Sequence, residues 1–435
     1  MALERGARIK TKFGREMRVE RLISEGGQGF VYQVYCEGRQ MALKWYKPVF
    51  VQSIHDAERF KDNLWNNILR GAPSQDFLWP QDLTETVDGC YGYLMELAPR
   101  EYVSARRIIR EPQLVRSFRR FVDACLNIVV AFGQLHDNGF CYQDLSDGNF
   151  FINPSNGKVL ICDNDNAAPG GADPFVLGTP DFMAPEIVTG GATPTQYSDL
   201  HSLAVIIFYL LLLQHPLKGI RSLRMDPKTQ TEIFGSDPVF IFDPTDRRNA
   251  AIQSPENNAL RIWPCLPSHM QGFFVRAFSH EMLHNPYRRP IQNEWVRELV
   301  RFRSEIVDCR CGNEVFLNEA EPRTCESCGS LCGSRLRIEV CGHKIPVVND
   351  ARVYTCQTMR VCDLDKALGP QVWALASRRD PSDIALRNMS RDPWKASCNG
   401  STLTVAPGTA VRAADGVEFE ISGQSVRVCL NEKRQ

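Results

Sequence analysis

The chain has 435 residues, 43% hydrophobic and 23% charged. These ordinary globular values exclude a mainly disordered or fibrous protein, and at about 100 to 200 residues per domain the length calls for two to four domains. Lys+Arg and Asp+Glu are both 51, a formal net charge of zero, which removes the electrostatic argument for nucleic acid or an anionic membrane as the main partner.

At the start, seven Arg/Lys and three Glu within the first 21 residues read as a solvated arm of mixed sign. The segment MALERGARIKTKFGREM lacks the apolar core of a secretory signal. The longest apolar run, Leu203 to Leu213, falls short of the roughly 20 residues a bilayer span needs, so a cytoplasmic location is expected. Residues 17–46 alternate apolar and polar side chains around a glycine cluster, which predicts antiparallel strands joined by tight turns. Within them, Ser24-Glu-Gly-Gly-Gln-Gly-Phe-Val31 offers backbone N–H groups that close over phosphates where no Cβ intervenes. Met41-Ala-Leu-Lys44 on the next strand brings an ammonium to the same place. Taken singly, a glycine-rich hairpin is a common turn and a strand lysine is usually solvated.

Helical spacing or length marks residues 55–70, 113–137 and 197–213, and 269–304 ends in the amphipathic stretch NEWVRELVRFRSEI. Between the second and third lies Leu135-His-Asp-Asn-Gly-Phe-Cys-Tyr-Gln-Asp144-Leu-Ser-Asp-Gly-Asn149, then the strand-like Val159-Leu-Ile-Cys-Asp163. Asp144, five residues before Asn149, has the spacing by which one loop offers a carboxylate to a substrate hydroxyl and an amide to a metal. Asp163 is the second candidate metal ligand. Gly178-Thr-Pro-Asp-Phe-Met-Ala184-Pro-Glu186 and Tyr197-Ser-Asp199 follow. Residues 215–265, rich in Pro, Asp and Asn without a clear period, read as a functional or partner-facing insertion.

Six of the 16 cysteines fall within residues 309–341, which in a reducing compartment points to a metal. Cys309-Arg-Cys311-Gly and Cys325-Glu-Ser-Cys328-Gly look like the two knuckles of a zinc ribbon over 306–335. Four thiolates suit tetrahedral Zn²⁺, and a stretch this short could hardly bury a core without it. The one-residue gap in the first pair leaves Cys332, Cys341 or His343 open as substitutes. Removing the metal is expected to unfold 309–335 and spare the preceding domain. Short Val/Ile-rich strands over 336–435 predict a β-sandwich. Ser382-Asp-Ile-Ala-Leu-Arg-Asn-Met-Ser390-Arg391 resembles a divergent forkhead-associated domain. Its alternatives are phosphopeptide binding through Ser390 and Arg391 and plain partner docking.

The motifs between residues 15 and 305 together resemble a eukaryotic-type protein kinase. The resemblance implies an α+β chain: a bilobal kinase domain over 1–305 (N-lobe about 15–98, C-lobe about 99–305), then the ribbon and the sandwich. Carried over by position, Lys44 would hold the α/β-phosphates of ATP, Asp144 would orient or accept the proton of the substrate hydroxyl, and Asn149 with Asp163 would hold Mg²⁺. Ser24, Gly26, Gly27, Gly29, Val31 and Ala42 would line the nucleotide, with Met95, Glu96 and Ala98 as its hinge. Glu58 is the first choice to pair with Lys44, and Asp62 the rival. Glu186 would pair with Arg289 as a structural ion pair.

The sequence departs from the family pattern at Ser24 for the first loop glycine, Tyr142-Gln143-Asp144 for HRD, Ser146 for the lysine two past the catalytic Asp, and Asp163-Asn164-Asp165 for DFG. Ser146 removes a positive charge expected near the transferred phosphoryl group, so a nucleotide-binding pseudokinase scaffold stands as the alternative, beside a phosphopeptide-binding adaptor. Gln143 replaces a phosphate-receiving arginine, and Asp163 to Gly178 contains no Ser, Thr or Tyr, so activation by phosphorylation within that loop is not expected. The Gly178-Thr179-Pro180 run resembles Ser/Thr kinases. The domain order resembles bacterial kinases of tellurite-resistance phosphorylation triads, which implies a PP2C-type phosphatase and a von Willebrand A-domain protein as partners, the latter a candidate substrate.

Overall fold

The computed structural model describes residues 2–54, 56–175, 178–359, 362–380, 382–398 and 400–431. The chain divides into two compact units, one of residues 1–115, 131–250 and 278–289, the other of 116–130, 251–277 and 290–435.

The first unit opens on an antiparallel sheet of β1 (Arg8–Lys10), β2 (Glu16–Glu25), β3 (Gly29–Cys36), β4 (Arg39–Tyr46), β5 (Asp82–Leu83) and β6 (Gly92–Met95), in the order β1-β2-β3-β4-β6-β5. The alternation expected over 17–46 is this sheet's core. On β4, Met41, Leu43 and Trp45 join one apolar cluster and Ala42 and Tyr46 the other, because successive side chains point to opposite faces. Glu37 and Gly38, at φ 47° and 83°, make the two-residue turn that suits the twist of a hairpin. Gly29 is required, since a Cβ there would run into the carbonyl of Trp45.

Helix α1 (Pro48–Ser53) is short, and α2 (Ala57–Arg70) fills the region expected to be helical from 55. The Asp56 carboxylate accepts from Arg59 N at 3.0 Å and Gly71 closes the C-terminus, the usual pairing of an acidic N-cap with a C-terminal glycine. Its buried face is Phe60, Leu64, Asn67 and Ile68. Helix Gln196–Leu212 is buried nearly all round and starts with a Thr195/Ser198 capping box.

The stretch over 215–265, expected as a functional or partner-facing insertion, is in part exposed and in part packed into the core: Ile220, Leu223 and Met225 are exposed. Its period is missing because the backbone is held in short turns by side chains such as Asn249, whose amide donates to Leu217 O and Val239 O. Val239, Phe240 and Ile241 are buried, and the Phe240 ring lies 5.5 Å from Phe208 and 5.1 Å from Phe278.

The helical region expected over 269–304 is interrupted: Ser268–Ala277, His280–His284 and Gln292–Ser304 are separate helices, the second capped by Ser279, with prolines at 286 and 290 between the last two. The strands that follow 306 include a six-stranded and a four-stranded antiparallel sheet between Leu336 and Leu430. Ile338, Val372, Leu386, Trp394 and Val426, drawn from both sheets, share one apolar core, with the Trp394 and Phe419 rings stacked at 4.5 Å. No helix among the described residues is long and apolar enough to cross a membrane.

Candidate active site

Lys44 is buried on β4, and its ammonium donates to Gln28 Oε1 at 2.8 Å, Asp165 Oδ2 at 2.8 Å and Asp163 Oδ1 at 3.4 Å. Burial alone would drive off its proton, yet Asp163 and Asp165 outweigh burial and hold the ammonium above its usual range. The Tyr46 hydroxyl donates to the same Asp165 oxygen at 2.6 Å. Tyr46 and Tyr93 are both pushed far up, first by burial and then by the Asp165 charge.

The loop after helix Phe118–Asp137 is shaped by Asp199. Its carboxylate accepts from Tyr142 N at 2.6 Å and Gln143 N at 3.3 Å, and lies 3.0 Å from His136 Nε2. Held this way, Gln143 takes a left-handed φ of 72°, and the Tyr142 hydroxyl donates to Cys162 O, tying the loop to the segment between strand Val159–Ile161 and Asp163. Asp144 follows, half-buried, with its carboxyl pushed up to about 6, first by desolvation and then by the charges of Asp165 and Asp163, against the Thr179 backbone N–H and Lys44, which lower it. Gly178 packs on it, and a Cβ there would lie 3.3 Å from Asp144 Oδ1 and from Gln143 O. Asp163 sits at φ 57° with its side chain 46% exposed, and the buried Asn164 amide donates to Leu78 O and Ile161 O, both at 3.0 Å.

The structure thus brings Lys44, Asp144 and Asp163 into one coupled group of charges, but it does not bring Glu58 to Lys44. Glu58 and Asp62 both fall on the exposed side of α2, and among the described residues the anions at the ammonium are Asp163 and Asp165. Asn149 is buried beside Asp144's loop, but its Oδ1 already accepts from Ser146 N at 2.6 Å and Ser146 Oγ at 2.7 Å. Next to Ser146, Asp147 accepts from Arg106 Nε at 3.1 Å and Nη2 at 2.8 Å. The half-exposed Arg106 guanidinium lies over Gly148, where a Cβ would sit 3.3 Å from Nη2.

Val31, Ala42, Met95 and Ala98 fall in one apolar cluster with Leu97, Phe151 and Cys162, a surface that suits a planar base. Glu96 is turned to Arg39 at 2.8 Å and Gln81 at 2.9 Å. Ser24, Gly26 and Gly27 are exposed in and beside the turn before β3, where Gly26 N donates to Gly29 O. Gln28, Tyr46, Phe151, Asp165 and Arg106 are the site-forming residues that sequence reasoning did not assign. Only Asp165 and the glycine-loop position of Gln28 carried a local signal.

The cysteines form a second candidate centre. The thiols of Cys309, Cys311, Cys325 and Cys328 all lie within 4.8 Å of one another, with Cys309 to Cys328 at 3.4 Å and Cys311 to Cys325 at 3.7 Å. Tetrahedral Zn–S bonds of about 2.3 Å put sulfurs about 3.8 Å apart, so the donor set fits Zn²⁺. Gly312 and Gly329, at φ 90° and 71°, turn the two knuckles. Cys332 is buried beside them on a strand, while Cys341 and His343 lie on the hairpin of Leu336–Pro346; none of the three joins the four-thiol group. Farther on, Ser390 Oγ bonds Asn388 Oδ1 at 2.6 Å and Asp392 O at 3.0 Å, and lies 2.9 Å from Trp394 Nε1. That hydroxyl is consumed within its own turn.

Residues 17–260 match the protein kinase domain family. Among curated proteins, the chain is 35% identical over 100 residues to "Protein kinase C-like 1" of Candida albicans, covering 22% of this chain and 9% of that protein. It is 30% identical over 95 residues to "Serine/threonine-protein kinase PSK2" of Saccharomyces cerevisiae, covering 21% and 8%. With "Probable serine/threonine-protein kinase gdt4" of Dictyostelium discoideum it shares 24% identity over 251 residues, 52% of this chain and 14% of that protein. The matched segments therefore span a small fraction of these relatives' length.

Proposed function

The chain belongs to the protein kinase family, and from that premise we propose that it transfers the γ-phosphoryl group of Mg·ATP to serine or threonine hydroxyls of a protein substrate. The observation that carries this reading is the convergence of the three charges: the buried Lys44 ammonium lies 3.4 Å from Asp163 Oδ1, and Asp144 is close enough for both to act on its carboxyl. The adenine would rest on the apolar cluster of Val31, Ala42, Met95 and Phe151. Lys44 would neutralise the phosphates, and Asp144, accepting a hydroxyl's hydrogen, would orient the nucleophile and take its proton. Asp163, half exposed beside Lys44, and Asn149, by releasing the Ser146 hydroxyl, would hold Mg²⁺, which neutralises charge on the phosphates. Arg106, which donates to Asp147 beside Ser146, would supply the cation in place of the lysine missing at Ser146. The test is transfer of labelled γ-phosphate to the chain and to a Ser/Thr substrate, wild type against Asp163→Ala. Transfer that persists without Asp163 would remove the reading.

One observation favours the second reading, a pseudokinase scaffold: Asn149 Oδ1 is already committed to Ser146. Mg·ATP binding without transfer, in the presence of candidate partners, would establish it.

The remaining proposals rest on the sequence. Cys309, Cys311, Cys325 and Cys328 would bind one structural Zn²⁺ in a ribbon over 306–335, supported by the sulfur spacing. Residues 336–435 would form a forkhead-associated-like β-sandwich that docks a partner; the engagement of Ser390 within its own turn argues against its reading phosphate. The cytoplasmic location, the PP2C-type phosphatase, and the von Willebrand A-domain protein as substrate follow from the resemblance to the triad kinases. Co-purification with each partner tests them.

A further inference from the structure

We infer that Asp165 is the positioning residue for Lys44, doing the work that the kinase pattern assigns to a helix glutamate; this deepens the proposed function and rests on it. Asp165 is 1% exposed, and a carboxylate that deep persists only when paired. Its Oδ2 takes both the Lys44 ammonium at 2.8 Å and the Tyr46 hydroxyl at 2.6 Å, while its Oδ1 has no hydrogen-bond partner. The pairing of this charge therefore hangs on Lys44 and Tyr46. From the other side, α2 presents Phe60, Leu64 and Asn67 as its buried face and leaves Glu58 exposed. The helix reaches the segment 163–167 through amides instead: Asn63 Nδ2 and Asn67 Nδ2 donate to Ala167 O at 3.0 and 2.7 Å.

The consequence is a change in what is coupled to what. Lys44 is anchored two residues from Asp163, on the same short turn, so the phosphate-holding cation and the candidate metal ligand are set by one piece of chain. A shift of α2 does not break an ion pair to Lys44. A shift of residues 163–166 displaces both groups at once.

The test uses the full chain and measures Mg·ATP affinity by calorimetry, with kcat and KM for phosphoryl transfer. Asp165→Asn, nearly isosteric, is expected to weaken nucleotide binding at least tenfold and lower kcat/KM about a hundredfold. Asp165→Glu restores part of the loss, and Tyr46→Phe moves affinity in the same direction by a smaller factor. Glu58→Gln and Asp62→Asn stay at wild-type affinity. Wild-type affinity in Asp165→Asn, or a loss in Glu58→Gln as large as in Lys44→Ala, overturns the inference. If Asp165→Asn fails to fold, Tyr46→Phe carries the decision, and unchanged affinity there overturns it equally. A wild-type chain that transfers nothing while these affinities behave as stated sinks the kinase reading and leaves the Asp165 anchor standing.

Discussion

Arg289 grips Glu186 with two guanidinium donors at 2.8 and 2.6 Å, across 103 residues of sequence. The guanidinium also donates to Tyr197 O, Met282 O and Leu283 O, so one buried side chain ties three segments of the first unit. Arg289→Ala leaves Glu186 and three carbonyls without their donor. It is expected to destabilise the protein by about 3 kcal/mol, measured by urea denaturation. Arg289→Lys recovers little of this, since an ammonium does not reproduce the planar fork.

The raised carboxyl of Asp144 gives the activity an acidic limb. Only the ionised form accepts a hydroxyl's hydrogen, so kcat/KM rises with pH through about 6. Between pH 7 and pH 5 it falls about tenfold. Asp144→Asn removes the limb with the activity, lowering kcat by about 10² to 10⁴. A pH profile with no inflection near 6 in the wild-type enzyme counts against this role.

Arg106 is expected to matter to transfer more than to folding. Arg106→Ala should lower kcat about tenfold and leave ATP affinity near wild type, because the guanidinium lies on the loop of Ser146 to Asn149 rather than among the nucleotide-facing residues. Arg106→Lys should restore part of kcat. Steady-state kinetics on the three proteins decide it.

Removing metal from the cysteine centre reaches farther than the motif suggests. Glu314 accepts from Ser117 Oγ and from Phe118 N, Arg323 donates to Cys265 O at 2.7 Å, and Asn318 accepts from Ser268 Oγ at 3.0 Å. Residues 306–335 belong to the same compact unit as 116–130 and 251–277. The expectation that the preceding domain would be spared is therefore revised. Chelation, or Cys328→Ser, should raise hydrogen exchange in 118–130 and 262–277 as well as in 309–332. Elemental analysis should find one zinc per chain.

Phosphate on the segment after Asp163 should not be needed for activity. Gln143 stands where a basic receiver is expected, with its Nε2 turned to Cys141 Sγ and its Oε1 buried without a partner. Treating the active enzyme with a protein phosphatase should leave kcat within about twofold. A stoichiometric phosphate at Thr179 whose removal abolishes transfer would falsify this.

Much of the first unit was legible because its signals are local. The β2 to β4 alternation, the Glu37-Gly38 turn and the Asp56 and Gly71 caps of α2 depend on neighbours in sequence. Within residues 215–265, the core role of Phe240 was not legible because its partners, Phe208 and Phe278, lie far away along the chain. The break before Gln292 is legible in the prolines at 286 and 290, whereas the one between Ala277 and His280 has no proline to mark it.

The sequence by itself determined which chemical groups the site holds: a lysine on a strand, a carboxylate and an amide five residues apart on a loop, an aspartate closing the next strand, and four thiols on two short knuckles. Those relations are fixed by spacing, since a strand end or a tight turn places residues a few positions apart in only one way. The tertiary structure alone decided which charge answers which. Glu58 and Asp165 are both acidic, both near a motif in sequence, and equally able to pair with an ammonium. Burial separates them, because a carboxylate left in water gains little from Lys44, whereas one enclosed with it and Tyr46 has no other way to be satisfied.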